Sequence, residues 1–253
     1  MGIIDEWVNP IYLDSEYVDS VKESIIAKPD IKYAVLDNFF KTDKLDELIE
    51  SHSRLNFSEE NDRRSKDGVW LPYDGAVVFA KKDKHFGSEL FYDDEWHRYC
   101  CYITGTKIDK IGTEIKLRYH KPLADGFWIH TDSTIRDLVI ICYFNKGWTA
   151  KDGGLLQLWR MDEEVSEKAL RVERPKGRLN CLKSKRIQTK TPGGGFPDNE
   201  VHDLVLIDQI VPAYNRVFIC NFKDLPAYHS VTPSNGKIRL GFVQWLFEGE
   251  NRG

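Results

Sequence analysis

The triplet His130-Thr131-Asp132 sets an imidazole and a carboxylate two residues apart. Both are donor types for a divalent transition metal. Alternation along an extended strand would turn the two side chains to one face. A second imidazole comes about a hundred residues later in Tyr228-His229-Ser230-Val231, and Arg239 stands ten positions beyond it on an alternating stretch. A His-x-Asp alone carries little, because a single His near a strand end is more often a satisfied structural residue. The order of the surrounding features carries more. Asp125-Gly126 forms a turn before the triplet, Arg136 to Asn145 reads as a strand after it, and Lys151-Asp-Gly-Gly-Leu-Leu-Gln-Leu158 is a Gly-Gly turn that enters another strand.

The elements that must position these residues change in character along the chain. The first 112 residues mix helices and strands. Val18, Val21, Ile25 and Ile26 recur at helical spacing over 15–27, with Ser15 as the expected N-cap. Tyr33 to Phe40 reads as a strand, and Thr42 as the cap of a helix burying Leu45, Leu48 and Ile49. Residues 56–68 are charged and unpatterned, as in a loop. Ala76 to Ala80 reads as a strand and Phe86 to Tyr102 as one helix. From Thr113 onward the pattern is strand after strand: 114–120, 137–145, 154–160, 204–211, 216–222 and 237–247. These runs are short, β-branched and aromatic, with Gly, Pro, Asn or Asp between them. The fold class expected is mainly β with N-terminal helices (α+β), built on a double-stranded β-helix, or jelly-roll, cupin-like core over 113–247. No linker divides the chain, so 1–253 reads as a single domain. Within it, 171–200 forms a basic, Gly-rich insertion that could act as a lid, since eight Lys or Arg between 171 and 190 face the single acid Glu173.

Composition excludes several classes. With 253 residues, 41% of them hydrophobic, the chain can bury a core without staples. Its net charge of −4 offers no electrostatic footprint for nucleic acid. No apolar run reaches the roughly 18 to 20 residues of a membrane span, and residues 1–16 lack the basic start and apolar run of a signal peptide. The expectation is a cytoplasmic protein. The five cysteines include no CxxC pair, which argues against a disulfide framework or a zinc ribbon.

Taken together, the motifs resemble those of the iron(II)- and 2-oxoglutarate-dependent oxygenases, in the prolyl-hydroxylase-like branch. The residues carrying the resemblance are Tyr119, His130-Thr-Asp132, Tyr143-Phe-Asn-Lys-Gly-Trp148, Gly153-Gly-Leu-Leu156, His229 and Arg239, with Ala34 to Phe40 similar to the family's opening strand. The resemblance implies that His130, Asp132 and His229 ligate iron(II) and leave three positions open for 2-oxoglutarate and O2. It implies that Arg239 anchors the distal carboxylate of 2-oxoglutarate, with Tyr143 and Tyr119 close enough to donate to the same co-substrate. The activity implied is hydroxylation of an unactivated C–H bond, with 2-oxoglutarate oxidised to succinate. An Asp at position 132 favours an oxygen-type outcome over halogenation.

A small-molecule substrate is expected, an amino acid or a natural-product intermediate, and the basic insertion would suit an anionic one. Trp128 and Arg136, flanking the His-x-Asp, are the candidates for touching it. Prolyl or other side-chain hydroxylation on a protein is the alternative within the class. A cupin-like binding or isomerase domain is the alternative outside it, and it gives no reason for an Arg ten residues after His229.

Overall fold

The computed structural model describes residues 2–54, 58–59, 75–79, 87–122, 126–132, 136–161, 180–181, 204–223 and 227–251. The helices are α1 (Ile3–Trp7), α2 (Ser15–Ile26), α3 (Thr42–Ser53), α4 (Ser88–Phe91) and α5 (Asp94–Thr104). The strands are β1 (Lys32–Asp37), β2 (Ser58–Glu59), β3 (Gly75–Phe79), β4 (Ile111–His120), β5 (Phe127–Thr131), β6 (Leu138–Tyr143), β7 (Leu156–Met161), β8 (Asn180–Cys181), β9 (Leu204–Ile210), β10 (Arg216–Asn221), β11 (Tyr228–Val231) and β12 (Arg239–Glu248). For β2, β3, β5 and β8 the description is of the backbone.

Local chemistry sets the helix ends, and in three places it differs from the expectation. Asp14, not Ser15, caps α2, its carboxylate accepting the Tyr17 N–H at 2.9 Å. Thr42 is the first residue of α3 rather than its cap, a place held by Lys41 without a side-chain bond. The single helix expected over 86–102 is two helices. Asp93 starts the second by accepting the Glu95 N–H at 2.7 Å, which ends the first turn at Tyr92. Of the loop expected at 56–68 only Ser58–Glu59 is among the described residues, and of the insertion at 171–200 only Asn180–Cys181.

The strands form two antiparallel sheets. One has seven strands in the order β1-β10-β6-β12-β4-β3-β2, the other five in the order β8-β5-β11-β7-β9. Period-two alternation divides the large sheet's side chains between two cores. Ile115, Leu117, Ile140, Cys142, Ile219, Phe242 and Leu246 face the helices and pack with Trp7, Leu45, Leu48, Phe91 and Trp96. Val139, Tyr143, Phe218, Cys220, Val243, Trp245 and Phe247 turn the other way and meet Leu156, Leu158 and Ile210 of the small sheet. The helices thus seal one face of the large sheet, and its other face looks into the space between the sheets. That inner space is where the candidate site lies. Among the described residues, no helix is long and apolar enough to cross a membrane.

Candidate active site

Two adjacent short strands bring the distant motifs together. β11 pairs antiparallel with β5 in a register that sets His229 directly opposite His130. On its other side β11 pairs with β7, with His229 opposite Leu158, an interior residue. β11 was not among the strands expected from the sequence, and β5 entered only through the alternation assumed for His130 and Asp132, because four and five residues are too few to show a period. The entry to β5 needs Gly126. It has φ +81°, and a Cβ there would lie 2.2 Å from the Val231 carbonyl oxygen, so only glycine allows the approach to β11.

Asp132 follows β5, and its carboxylate lies near His229, with Oδ1 3.9 Å from Nε2. Each group is held from behind. The Nδ1 of His229 is 2.9 Å from the Ala227 carbonyl. A carbonyl only accepts, so Nδ1 donates to it, and Nε2 is the nitrogen turned toward Asp132. The Phe222 ring stacks on the imidazole, with centroids 5.9 Å apart and planes 9° apart. The Trp245 indole donates to Asp132 Oδ2 at 2.6 Å, which leaves Oδ1 on the His229 side. An imidazole and a carboxylate oriented this way fit a divalent metal, with His130 at the facing register position to complete two His and one carboxylate. The side chains of His130 and Trp128 lie outside the described residues.

Arg239 opens β12 on the same inner face and is 8% exposed. Its guanidinium lies 5.3 Å over the Tyr143 ring and donates through NH1 to Nε2 of His120 at 3.2 Å. The motif around it has a physical purpose. Asn145 Oδ1 accepts the Leu240 N–H at 2.7 Å, tying down the backbone beside Arg239. The Trp148 indole donates to the Gly153 carbonyl at 2.9 Å, which shapes the Gly-Gly turn. Gly154, at φ +63°, then sits so close that a Cβ would be 3.0 Å from Arg239 Cδ. Burial pushes the Tyr143 phenol up to about 12 while the Arg239 charge pulls the other way, so the hydroxyl keeps its proton as a donor. Among the described residues it has no partner at hydrogen-bonding geometry.

The structure does not bring Tyr119 to this cluster. Tyr119 pairs with Leu240, which packs against the helix-side core, while His120 pairs with Arg239. A shift of one residue reverses the face, so His120 holds the inner place assigned to Tyr119. His120 is buried, and desolvation, followed by Arg239 and Arg118, holds its pKa well below the ordinary histidine value. It is therefore neutral and can accept from Arg239.

Arg136 does reach the His229–Asp132 pair. Its guanidinium stacks 3.8 Å over the Trp245 ring, contacts Glu114 at 3.0 Å, and lies 3.9 Å from Asp132 Oδ1. The sequence reading assigned neither His120 nor Trp245 to the site, taking His120 for a turn residue and Trp245 for core packing. Trp245 has the same parity as Arg239 on one strand, a signal that was available. His120 needed the cross-strand register.

The sequence matches no protein-family model and no curated protein. The fold does match solved structures. A prolyl hydroxylase from Trichoplax adhaerens, in complex with a hypoxia inducible factor oxygen degradation domain peptide, superposes with a TM-score of 0.58 at 15% identity, over 92% of this chain and 90% of that one. HygX from Streptomyces hygroscopicus, with nickel, 2-oxoglutarate and hygromycin B bound, gives 0.58 at 10% identity over 90% and 87%. A Pseudomonas putida prolyl-4-hydroxylase gives 0.52 at 15% identity over 93% and 100%. The chain has the double-stranded β-helix fold of these oxygenase structures.

Proposed function

We propose that this protein is an iron(II)- and 2-oxoglutarate-dependent dioxygenase that hydroxylates a C–H bond of a small molecule. The observation that carries the proposal is the joint placement of two centres on one inner surface. One is the His229–Asp132 pair facing His130 across the ladder, and the other is the buried Arg239 backed by Tyr143 and His120. A cupin-like binding domain has no use for a buried guanidinium at that position.

Bound iron(II) would supply activation of O2, and 2-oxoglutarate the two further electrons, so that substrate–H, O2 and 2-oxoglutarate give substrate–OH, succinate and CO2. The protein's own residues bind and orient. His130, Asp132 and His229 would hold the metal on one side. Arg239 would take the distal carboxylate through a planar contact, the Tyr143 hydroxyl would donate to the same group, and His120 would fix the guanidinium. Trp245 would keep Asp132 turned to the metal. The apolar wall of Leu156, Leu158, Val243 and Phe247 would exclude water from the reacting centre.

An anaerobic titration of the apo-protein with iron(II) and 2-oxoglutarate tests this. A weak visible metal-to-ligand charge-transfer band should form in the wild type and be lost in His130→Ala. A folded, iron-binding protein that gives no band would move the cupin-like reading to the front.

A further inference from the structure

Two groups stand equally close to the Oδ1 oxygen of Asp132. Nε2 of His229 is 3.9 Å from it, and so is NH1 of Arg136. Trp245 already donates to the other oxygen, Oδ2, at 2.6 Å. A divalent metal held by Asp132 and His229 would be a cation, and the Arg136 guanidinium is another. The two compete for one carboxylate charge. The Asp132 and Arg136 side chains are 8% and 13% exposed, so water and salt screen the contest little.

Glu114 decides that contest. It stands opposite Trp245 in the β4–β12 ladder and is buried. Its Oε1 accepts from NH2 of Arg136 at 3.0 Å, a true hydrogen bond, whereas the 3.9 Å reach to Asp132 is not one. Lys116 contacts the same Glu114 oxygen at 3.3 Å. Burial pushes the Glu114 carboxyl up, but Arg136 and Lys116 together outweigh it and hold it below the ordinary glutamate value, so it stays charged. Arg136 lies 3.8 Å over the Trp245 ring, within reach of both carboxylates. A shift of about 1 Å would close the gap to Asp132 and form an internal salt bridge there. Lys116 alone would suffice as a partner for a buried Glu114. The added hold on Arg136 is what connects this glutamate to Asp132.

We propose that Glu114 is a positioning residue for the metal centre, drawing Arg136 off Asp132 so that the Oδ1 charge is left to a divalent metal. This role rests on the metal assignment of the proposed function and deepens it. Glu114 touches neither metal nor co-substrate and acts through the guanidinium.

The test measures the affinity of the full chain for cobalt(II) alone, by chelator competition and the cobalt visible bands, with no 2-oxoglutarate present. Glu114→Gln/Lys116→Met and Glu114→Gln/Arg136→Met each remove one anion and one cation, so their net charges are equal. They differ in whether Arg136 is left beside Asp132 without Glu114. The first should bind cobalt(II) more weakly by about tenfold or more, the scale of one charge-assisted contact. The second should bind as tightly as the wild type or tighter, and so should Arg136→Met. Where the first double variant does not fold, Glu114→Asp replaces it. It keeps the charge on a shorter arm, and its smaller loss of affinity should be restored in Glu114→Asp/Arg136→Met. Equal affinities with and without Arg136 in these backgrounds would overturn the role and leave Glu114 as a plain partner for a buried lysine. Weaker binding in Arg136→Met would overturn it as well, because the guanidinium would then support the metal rather than compete with it. If the wild type binds cobalt(II) no more tightly than His130→Ala, the metal assignment has failed and the role falls with it. A His130-dependent site that is indifferent to Arg136 sinks the role alone.

Discussion

Arg239 and His120 are cross-strand partners, and NH1 of the guanidinium donates to Nε2 of the imidazole at 3.2 Å. A neutral histidine beside a buried guanidinium orients the fork without competing for an incoming carboxylate. His120→Phe keeps a ring but removes the acceptor. The KM for 2-oxoglutarate should rise by about tenfold, the scale of one hydrogen bond to a charged group, with iron(II) affinity unchanged. Arg239→Ala should raise it far more, again without loss of iron. Steady-state succinate release and a chelator competition measure the two quantities, and an equal loss of iron affinity in Arg239→Ala would count against its role.

Trp245→Phe keeps an aromatic surface under Arg136 and deletes the N–H that holds Asp132 Oδ2. Support of this kind behind a metal ligand is worth about 10- to 100-fold in metal affinity. A fall of that size in iron(II) affinity of the folded protein is expected, alongside a loss of stability of about 1 to 3 kcal/mol from the smaller ring in a buried position. Wild-type affinity would mean that Asp132 needs no such support.

Gly154→Ala places a methyl group against Arg239 Cδ at a backbone φ of +63°. Strain at a left-handed position costs about 1 to 3 kcal/mol, and relief by moving Arg239 would spoil the carboxylate site. The variant should therefore be less stable to denaturant and require more 2-oxoglutarate. Lost stability with an unchanged KM would show that Arg239 does not depend on this turn.

His52 is buried on α3, where desolvation lowers its pKa from 6.5 to about 4. The folded state keeps it neutral, whereas the unfolded chain takes up a proton below about pH 6.5. Its neutral burial therefore costs nothing above pH 6.5, and stability is lost as pH falls from 6.5 to 4, by about 3 kcal/mol at most. His120 and His97 act in the same direction. His52→Leu should flatten the dependence of unfolding free energy on pH between 6.5 and 4 by up to one proton. An identical slope in the two proteins would mean that His52 titrates normally.

What the sequence determined by itself was the chemistry and its order along the chain. His-x-Asp, the Gly-Gly turn, the distal His and the following Arg are short-range patterns, and the long strands β4, β6, β10 and β12 announce themselves through β-branched, alternating composition. The starts of α2 and α3 were legible to within a residue, because a capping side chain before an apolar period is a local signal, whereas α1 and the break at Asp93 between α4 and α5 were not. The tertiary structure alone decided which strands lie side by side. β5 and β11 are too short to carry a period, and only their pairing sets His229 opposite His130. Register also decided between neighbours. Tyr119 and His120 are equally plausible in one dimension, but the ladder with β12 turns Tyr119 to the helices and His120 to Arg239. The same ladder sets Glu114 and Lys116 of β4 beside Trp245 of β12, 129 to 131 positions away, and Arg136 joins them from outside both strands. Side-chain facing on a strand follows a period of two, so one residue of register decides which face it occupies, and register is set by contacts distant in sequence.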